Sequence, residues 1–202
     1  PEITVKDLSS SIYSLQATLN IYDPAFRIKK NPTFELQIDG GVYLRKTISS
    51  NGNFEITGLL PNTEYTVVGT FTYLNEDNVQ VRKKFIEEKI RTKDISSVEP
   101  LEFALTNNTF YPNYISLTDV HLLNKSSDEV LKGLKTVRIL IDDKVYNISS
   151  SKVQSLKNLE NIDYDTSKNL ESNTNYTFKI VAYDVAGNEL IVNNNTFQSK
   201  TS

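Results

Sequence analysis

His121 is the only histidine in the 202-residue chain, and the chain has no cysteine. Those two counts bound the covalent chemistry. Without thiols there is no disulfide, no thiolate metal ligand and no cysteine nucleophile. A Ser-His-Asp arrangement would have to use His121, with a serine and a carboxylate brought to it in space. His121 stands in a segment of strand character with no nucleophile motif beside it, and Gly-x-Ser-x-Gly does not occur. It reads as a surface or strand-edge residue. Acidic side chains are plentiful, but glycoside hydrolysis needs two of them held across a cleft. A small domain with short loops offers no such cleft. Phosphate loops and dinucleotide fingerprints do not occur, and the chain is expected to be non-enzymatic, with no cofactor.

Binding chemistry has more to work with. Asn161 to Asn169 alternates oxygen-bearing side chains, as a calcium loop does at its start. It has no turn glycine, however, and carries Lys168, so a polar loop is the competing reading. Asp163, Tyr164 and Asp165 are its candidate binding residues. Tyr43, Tyr111, Tyr114, Tyr146 and Tyr164 are candidates for exposed rings that stack on sugars, against the plainer reading as half-buried strand tyrosines. Arg27, Lys29, Lys30 and Asn31-Pro32 form the most basic short segment, read as a solvated loop or a contact for an anionic partner. Asn-x-Ser/Thr at Asn107, Asn124, Asn147, Asn175 and Asn194 is weak support for glycosylation in a chain so rich in Asn and Ser.

The elements that must position these groups are strands. Tyr65, Val67, Gly69, Phe71 and Tyr73 alternate with Thr66, Val68, Thr70 and Thr72, the period of a half-buried strand. A bend feeds this strand through Leu59, Pro61, Thr63 and Tyr65. Pro61 presets φ, and Asn62 and Thr63 can bond the nearby backbone. A second copy lies 111 positions on, with Leu170, Thr174, Tyr176, Phe178, Ile180 and Ala182, and Ser172 in place of the proline. A tyrosine just past such a bend can bury its ring and return its hydroxyl to the backbone, the tyrosine corner of Greek-key sandwiches.

This pattern resembles the turn into strand F of a fibronectin type III domain. Ala182-Tyr183-Asp184-Val185-Ala186-Gly187-Asn188 is similar to the Ala-x-Asp-x-x-Gly-Asn turn common between strands F and G of that family. The family usually carries a core Trp on strand B. This chain has no Trp, so an aliphatic residue is expected there. The resemblance implies an all-β fold of two tandem immunoglobulin-like Greek-key β-sandwiches, residues 1–94 and 95–202.

Other segments fit two such modules. Ile3 and Val5 read as an edge strand, and Leu15 to Ile21 as a strand with one buried face. Phe34, Leu36 and Ile38 form a strand closed by a Gly40-Gly41 hairpin, and Phe54 with Ile56 a short strand. Thr92 to Pro100 reads as the boundary. In the second half Tyr114 to Val120 reads as a strand of less regular alternation. Ser126 to Leu134 holds a short helical turn, and Val137, Ile139 and Ile141 a further strand. Ile141-Asp142-Asp143-Lys144-Val145-Tyr146 matches Ile38-Asp39-Gly40-Gly41-Val42-Tyr43 at an offset of 103, so about eight extra residues lie between Asn147 and Asn169. Val153, Leu156 and Leu159 there read as a strand or a helical turn. This insertion is the expected place for module-specific function.

The net charge of −3 divides as 12 basic and 12 acidic residues before Ile95, then 10 and 13. Neither half has the basic excess of a nucleic-acid binder. No apolar run suits a membrane span, and a start at Pro1 suggests a piece of a longer protein. The Asn, Lys, Ile and Ser bias suggests an AT-rich genome. Together with the resemblance it implies a spacer and adhesion segment of a Gram-positive phage tail or bacterial surface protein, extracellular or on the virion. Its expected partners are other domains of a larger parent chain, with host-surface carbohydrate or protein as further candidates. A carbohydrate- or host-surface-binding module and an accessory module of a secreted polysaccharide hydrolase are the alternatives.

Overall fold

A computed structural model describes residues 1–97, 101–123, 128–190 and 196–202. Val98–Pro100 of the expected boundary, Ser126 at the start of the expected helical turn, and Asn124 and Asn194 lie outside them. The chain divides into two compact units, Pro1–Ile95 and Ser96–Ser202.

The first unit is a β-sandwich of seven strands. One sheet pairs β1 (Glu2–Ser10), β2 (Leu15–Tyr22) and β5 (Gly52–Ile56), with β2 in the middle. The other has the order β4 (Gly41–Thr47), β3 (Ile28–Ile38), β6 (Glu64–Leu74), β7 (Gln80–Arg91). All pairings are antiparallel. Period-two side chains from both sheets meet in one core of Leu15, Leu19, Phe34, Leu36, Tyr65, Val67 and Phe71. β2 presents only aliphatic residues inward, Leu15, Ala17 and Leu19. Phe34 supplies the aromatic packing instead, with Phe54 and Phe85 at centroid distances of 4.6 and 5.4 Å.

Three details differ from the sequence reading. The basic segment at Arg27–Pro32 is mostly the start of β3 rather than a loop. Its register slips twice before Thr33, and such irregularities are where a strand tolerates proline. Pro32 still contributes its carbonyl, which accepts from Ile48 N at 2.8 Å. The β3–β4 hairpin turns at Asp39-Gly40, not Gly40-Gly41. Asp39 and Gly40 have φ of 49° and 78°, the two positive values a twisted two-residue turn requires. Finally, β5 begins at Gly52, inside the expected loop.

The second unit repeats the plan. β10 (Ile115–Leu122) is flanked by β13 (Ile162–Asp165) on one side and by β8 (Phe103–Ala104) and β9 (Asn107–Phe110) on the other. The facing sheet has the order β12 (Lys144–Asn147), β11 (Leu134–Ile141), β14 (Asn175–Asp184), β15 (Thr196–Lys200). β10 explains the irregular alternation. Ile115 and Leu117 point inward, then Val120 and Leu122, because a bulge falls between Leu117 and Val120 with Asp119 at φ 55°. Its described residues add two short α-helices, α1 (Asp128–Lys132) and α2 (Ser150–Lys157).

Candidate functional site

The insertion between β12 and β13 begins with α2. Ser149 caps it, its hydroxyl accepting from Lys152 N at 3.4 Å. Val153 and Leu156, three apart, fall on one face and are buried. Leu159 is not part of that face. It sits just past the helix with φ 59°, 44% exposed, and reverses the chain. The extra residues therefore pack as a helix against the sandwich.

Within Asn161–Asn169, Ile162–Asp165 is a strand and not part of a free polar loop, and Ile162, Tyr164 and Thr166 alternate toward the core. Asp163 and Asp165 consequently share the outer face. Asp163 Oδ1 accepts from Asp119 N at 3.0 Å and so holds the bulge of β10. His121 belongs to the same feature: its Nδ1 lies 2.6 Å from the Asp119 carbonyl oxygen, to which it donates. Lys152 Nζ donates to the Asp163 carbonyl at 2.6 Å and stands 5.7 Å from the centre of the Tyr164 ring. Tyr164 is half-buried, which pushes its hydroxyl pKa up. Among the described residues, no three His, Asp or Glu side chains converge as a metal site would need. The chemistry of Asp163, Tyr164 and His121 here is that of a strand fastened to its neighbour.

The other tyrosines divide. Tyr146 is buried, against its reading as an exposed ring, and its hydroxyl donates to Asn169 Oδ1 at 2.6 Å. Tyr43 and Tyr111 are exposed, and Tyr114 is half-buried.

The two bends are built alike. Tyr65 is fully buried, and its hydroxyl accepts from Leu60 N at 2.8 Å. Burial pushes its pKa up to about 12, against the opposing pull of that hydrogen bond. Tyr176 is buried likewise and accepts from Glu171 N at 2.9 Å. Thr63 and Thr174 donate to the carbonyls of Pro61 and Ser172, both at 2.8 Å. Leu59 and Leu170 are buried beneath the bends, and Pro61 is half-buried. In the turn after β14, the buried Asp184 accepts from Ala186 N, Asn188 N and Asn188 Nδ2 while Gly187 takes φ 84°.

Both units are fibronectin type III-like β-sandwiches. Three solved structures of fibronectin type III modules are similar to the chain at low identity. The fibronectin(III)-like modules of Clostridium thermocellum CbhA match 97% of this chain and 90% of their own, at 12% identity and TM-score 0.33. A two-domain fibronectin type III segment of chicken tenascin matches 98% and 99%, at 15% identity and TM-score 0.37. Chicken CNTN1 FN1-FN3 matches 100% and 68%, at 16% identity and TM-score 0.35. No family model and no curated protein matches the chain.

The modules also use residues that the sequence reading passed over. Thr92 Oγ1 donates to Leu60 O at 2.6 Å and accepts from Thr63 N at 3.0 Å. In the second module Thr201 Oγ1 donates to Glu171 O and accepts from Thr174 N. Each threonine directly follows its module's last strand and locks that end to the tyrosine bend. The available signal was a basic residue followed by Thr, Arg91-Thr92 and Lys200-Thr201, at a similar distance past each corner tyrosine. At the other end of the first module Asp23 fixes the turn into β3. Burial would raise its pKa, but accepting from Ile28 N and Arg27 N outweighs this and lowers it.

Proposed function

We propose that the chain is a structural and interaction segment of a larger extracellular protein, such as a phage tail or bacterial surface protein, in which each module holds its neighbours apart. One observation carries this reading: in each module the chain enters at one end and leaves at the other. In the first, β1 starts beside Tyr22 and finishes beside Leu15. The outgoing chain lies at that second end, where Lys93 N donates to Ser11 O at 3.0 Å and Ser10 Oγ to Arg91 O at 2.8 Å. In the second, Leu101 N donates to Leu190 O near the start, and Ser202 Oγ reaches Phe110 O at the finish.

Such a unit carries tension well. A pull on the two ends loads the hydrogen bonds of β1 and β7 side by side, since ladder bonds stand across the strand axis. Single-molecule stretching of the whole chain tests the role. Two separate unfolding steps are expected, each releasing about 300 Å of chain. Among the described residues the last strand of the second module pairs over five positions where β7 pairs over eleven, so the second module should yield first. Smooth extension without steps would rule out a tension-bearing spacer.

A further inference from the structure

We propose that Tyr111 and Tyr114 form a platform for a β-linked hexopyranose chain. This goes beyond the spacer role and stands or falls apart from it. The two rings close the β9–β10 hairpin, where Tyr111 N donates to Tyr114 O at 3.1 Å. They stack at a centroid distance of 4.4 Å and an interplanar angle of 3°. Lys168 Nζ stands 5.5 Å from the centre of the Tyr114 ring. The hairpin is tied down from the neighbouring bend, with Leu170 N donating to Asn113 O at 2.9 Å and Asn113 Nδ2 to Lys168 O at 3.5 Å. Tyr111 nonetheless remains 39% exposed.

Stacking uses one face of each ring and Lys168 stands over Tyr114, so the face left for a ligand is the outer one of Tyr111, flat and preorganised by the ring behind it. A hexopyranose with equatorial substituents is complementary to it. Its axial C–H bonds form a flat apolar face of similar width, and its hydroxyls project sideways. Asn113, in the same turn, and Lys168 supply polar groups beside the pair. Phe110, next to Tyr111 and 43% exposed, lines a groove of about 480 Å³ with Asn175, Thr177, Gln198 and Lys200. A chain of sugars can run from the platform along this amide- and hydroxyl-rich path. Nucleobases also stack on tyrosine, but phosphates need a cationic track. Here Lys168 stands beside Tyr114, which the charge of Asp165 also reaches, in a half of the chain with 10 basic and 13 acidic residues.

Titration of the whole chain with cellotetraose and with the tetramer of N-acetylglucosamine, read by NMR, tests the assignment. Saturable shifts of the Tyr111 and Tyr114 ring signals are expected with at least one, at a Kd of about 0.1–1 mM. Tyr111→Ala and Tyr114→Ala should each weaken binding by about tenfold or more. Tyr111→Phe, which keeps the stack, should bind within about twofold of the original. Tyr43→Ala, in the other module, should bind unchanged. Tyr111 is exposed, so its variant should melt with the parent chain even if Tyr114→Ala does not fold. No saturable response to either sugar at about 10 mM, or full binding by Tyr111→Ala, overturns the proposal. Equal displacement by a thymidine oligonucleotide would make the pair a base-stacking surface and overturn it too.

Discussion

A tyrosine hydroxyl that accepts a backbone N–H inside a core leaves that N–H no alternative once it is removed. Tyr65→Phe keeps the ring and strands Leu60 N, so it should cost the first module about 1–3 kcal/mol in denaturant unfolding. Unchanged stability would mean the bend holds without the bond. The same residue gives an alkaline signature. Burial in the fold favours the neutral phenol, so the folded pKa of about 12 lies above the ordinary 10.0. The contribution is complete below pH 10 and is lost as pH rises through 12. The first module should therefore weaken over that window, and Tyr65→Phe should weaken less steeply. At this scale the sequence was legible where geometry is local. Each corner tyrosine stands five residues after the N–H that it accepts, within one bend. Thr92 lies 29 residues from Thr63, which it bonds, and only the recurrence of a basic residue before threonine in the second half signals it.

Strands were legible wherever a regular period of two survives, as in β2, β6 and β11. They were missed where the ladder is irregular. Pro32 argued for a loop, and only the register slips show how β3 absorbs it. β13 was concealed because its outward Asp163 and Asp165 imitate a row of metal ligands, while its inward Ile162, Tyr164 and Thr166 are of mixed polarity. The helix α2 was ambiguous at Leu159, an apolar residue that the fold leaves outside. Its burial predicts which part of the insertion matters for stability. Leu156 is fully enclosed, so Leu156→Ala should cost about 2–5 kcal/mol, measured by hydrogen exchange at the β14 amides. Asp165→Asn, on the exposed face, should change stability by less than about 0.5 kcal/mol. Similar small effects from both would show that α2 is not part of the core of its module. This separates support from display: α2 holds β13 in place, and the tyrosine pair uses the turn beyond it.

For the whole molecule, the separation of inlet and outlet is a length that can be measured. β1 has nine residues, and a strand rises about 3.3 Å per residue, so its ends lie about 25–30 Å apart after allowing for the bulge between Lys6 and Ser9. Lys93 stands beside Ser11, which places the outgoing chain at the far end of that strand. The chain has no cysteine, so Glu2→Cys with Lys93→Cys can be spin-labelled uniquely, at two exposed positions. The second module allows the same measurement with Glu189→Cys and Ser202→Cys. Its length is set there by the ten residues of β14, one end of which neighbours Glu189 and the other Thr201. Both pairs should give narrow distance distributions centred at about 25–40 Å, the spread beyond the strand length coming from the label arms. A centre below about 15 Å in either module would put inlet and outlet at the same end. That module would then be a branch on the parent chain and not a link in it. A broad distribution in the second module alone would place the weaker joint at its last strand, which among the described residues pairs over five positions and is expected to yield first under load.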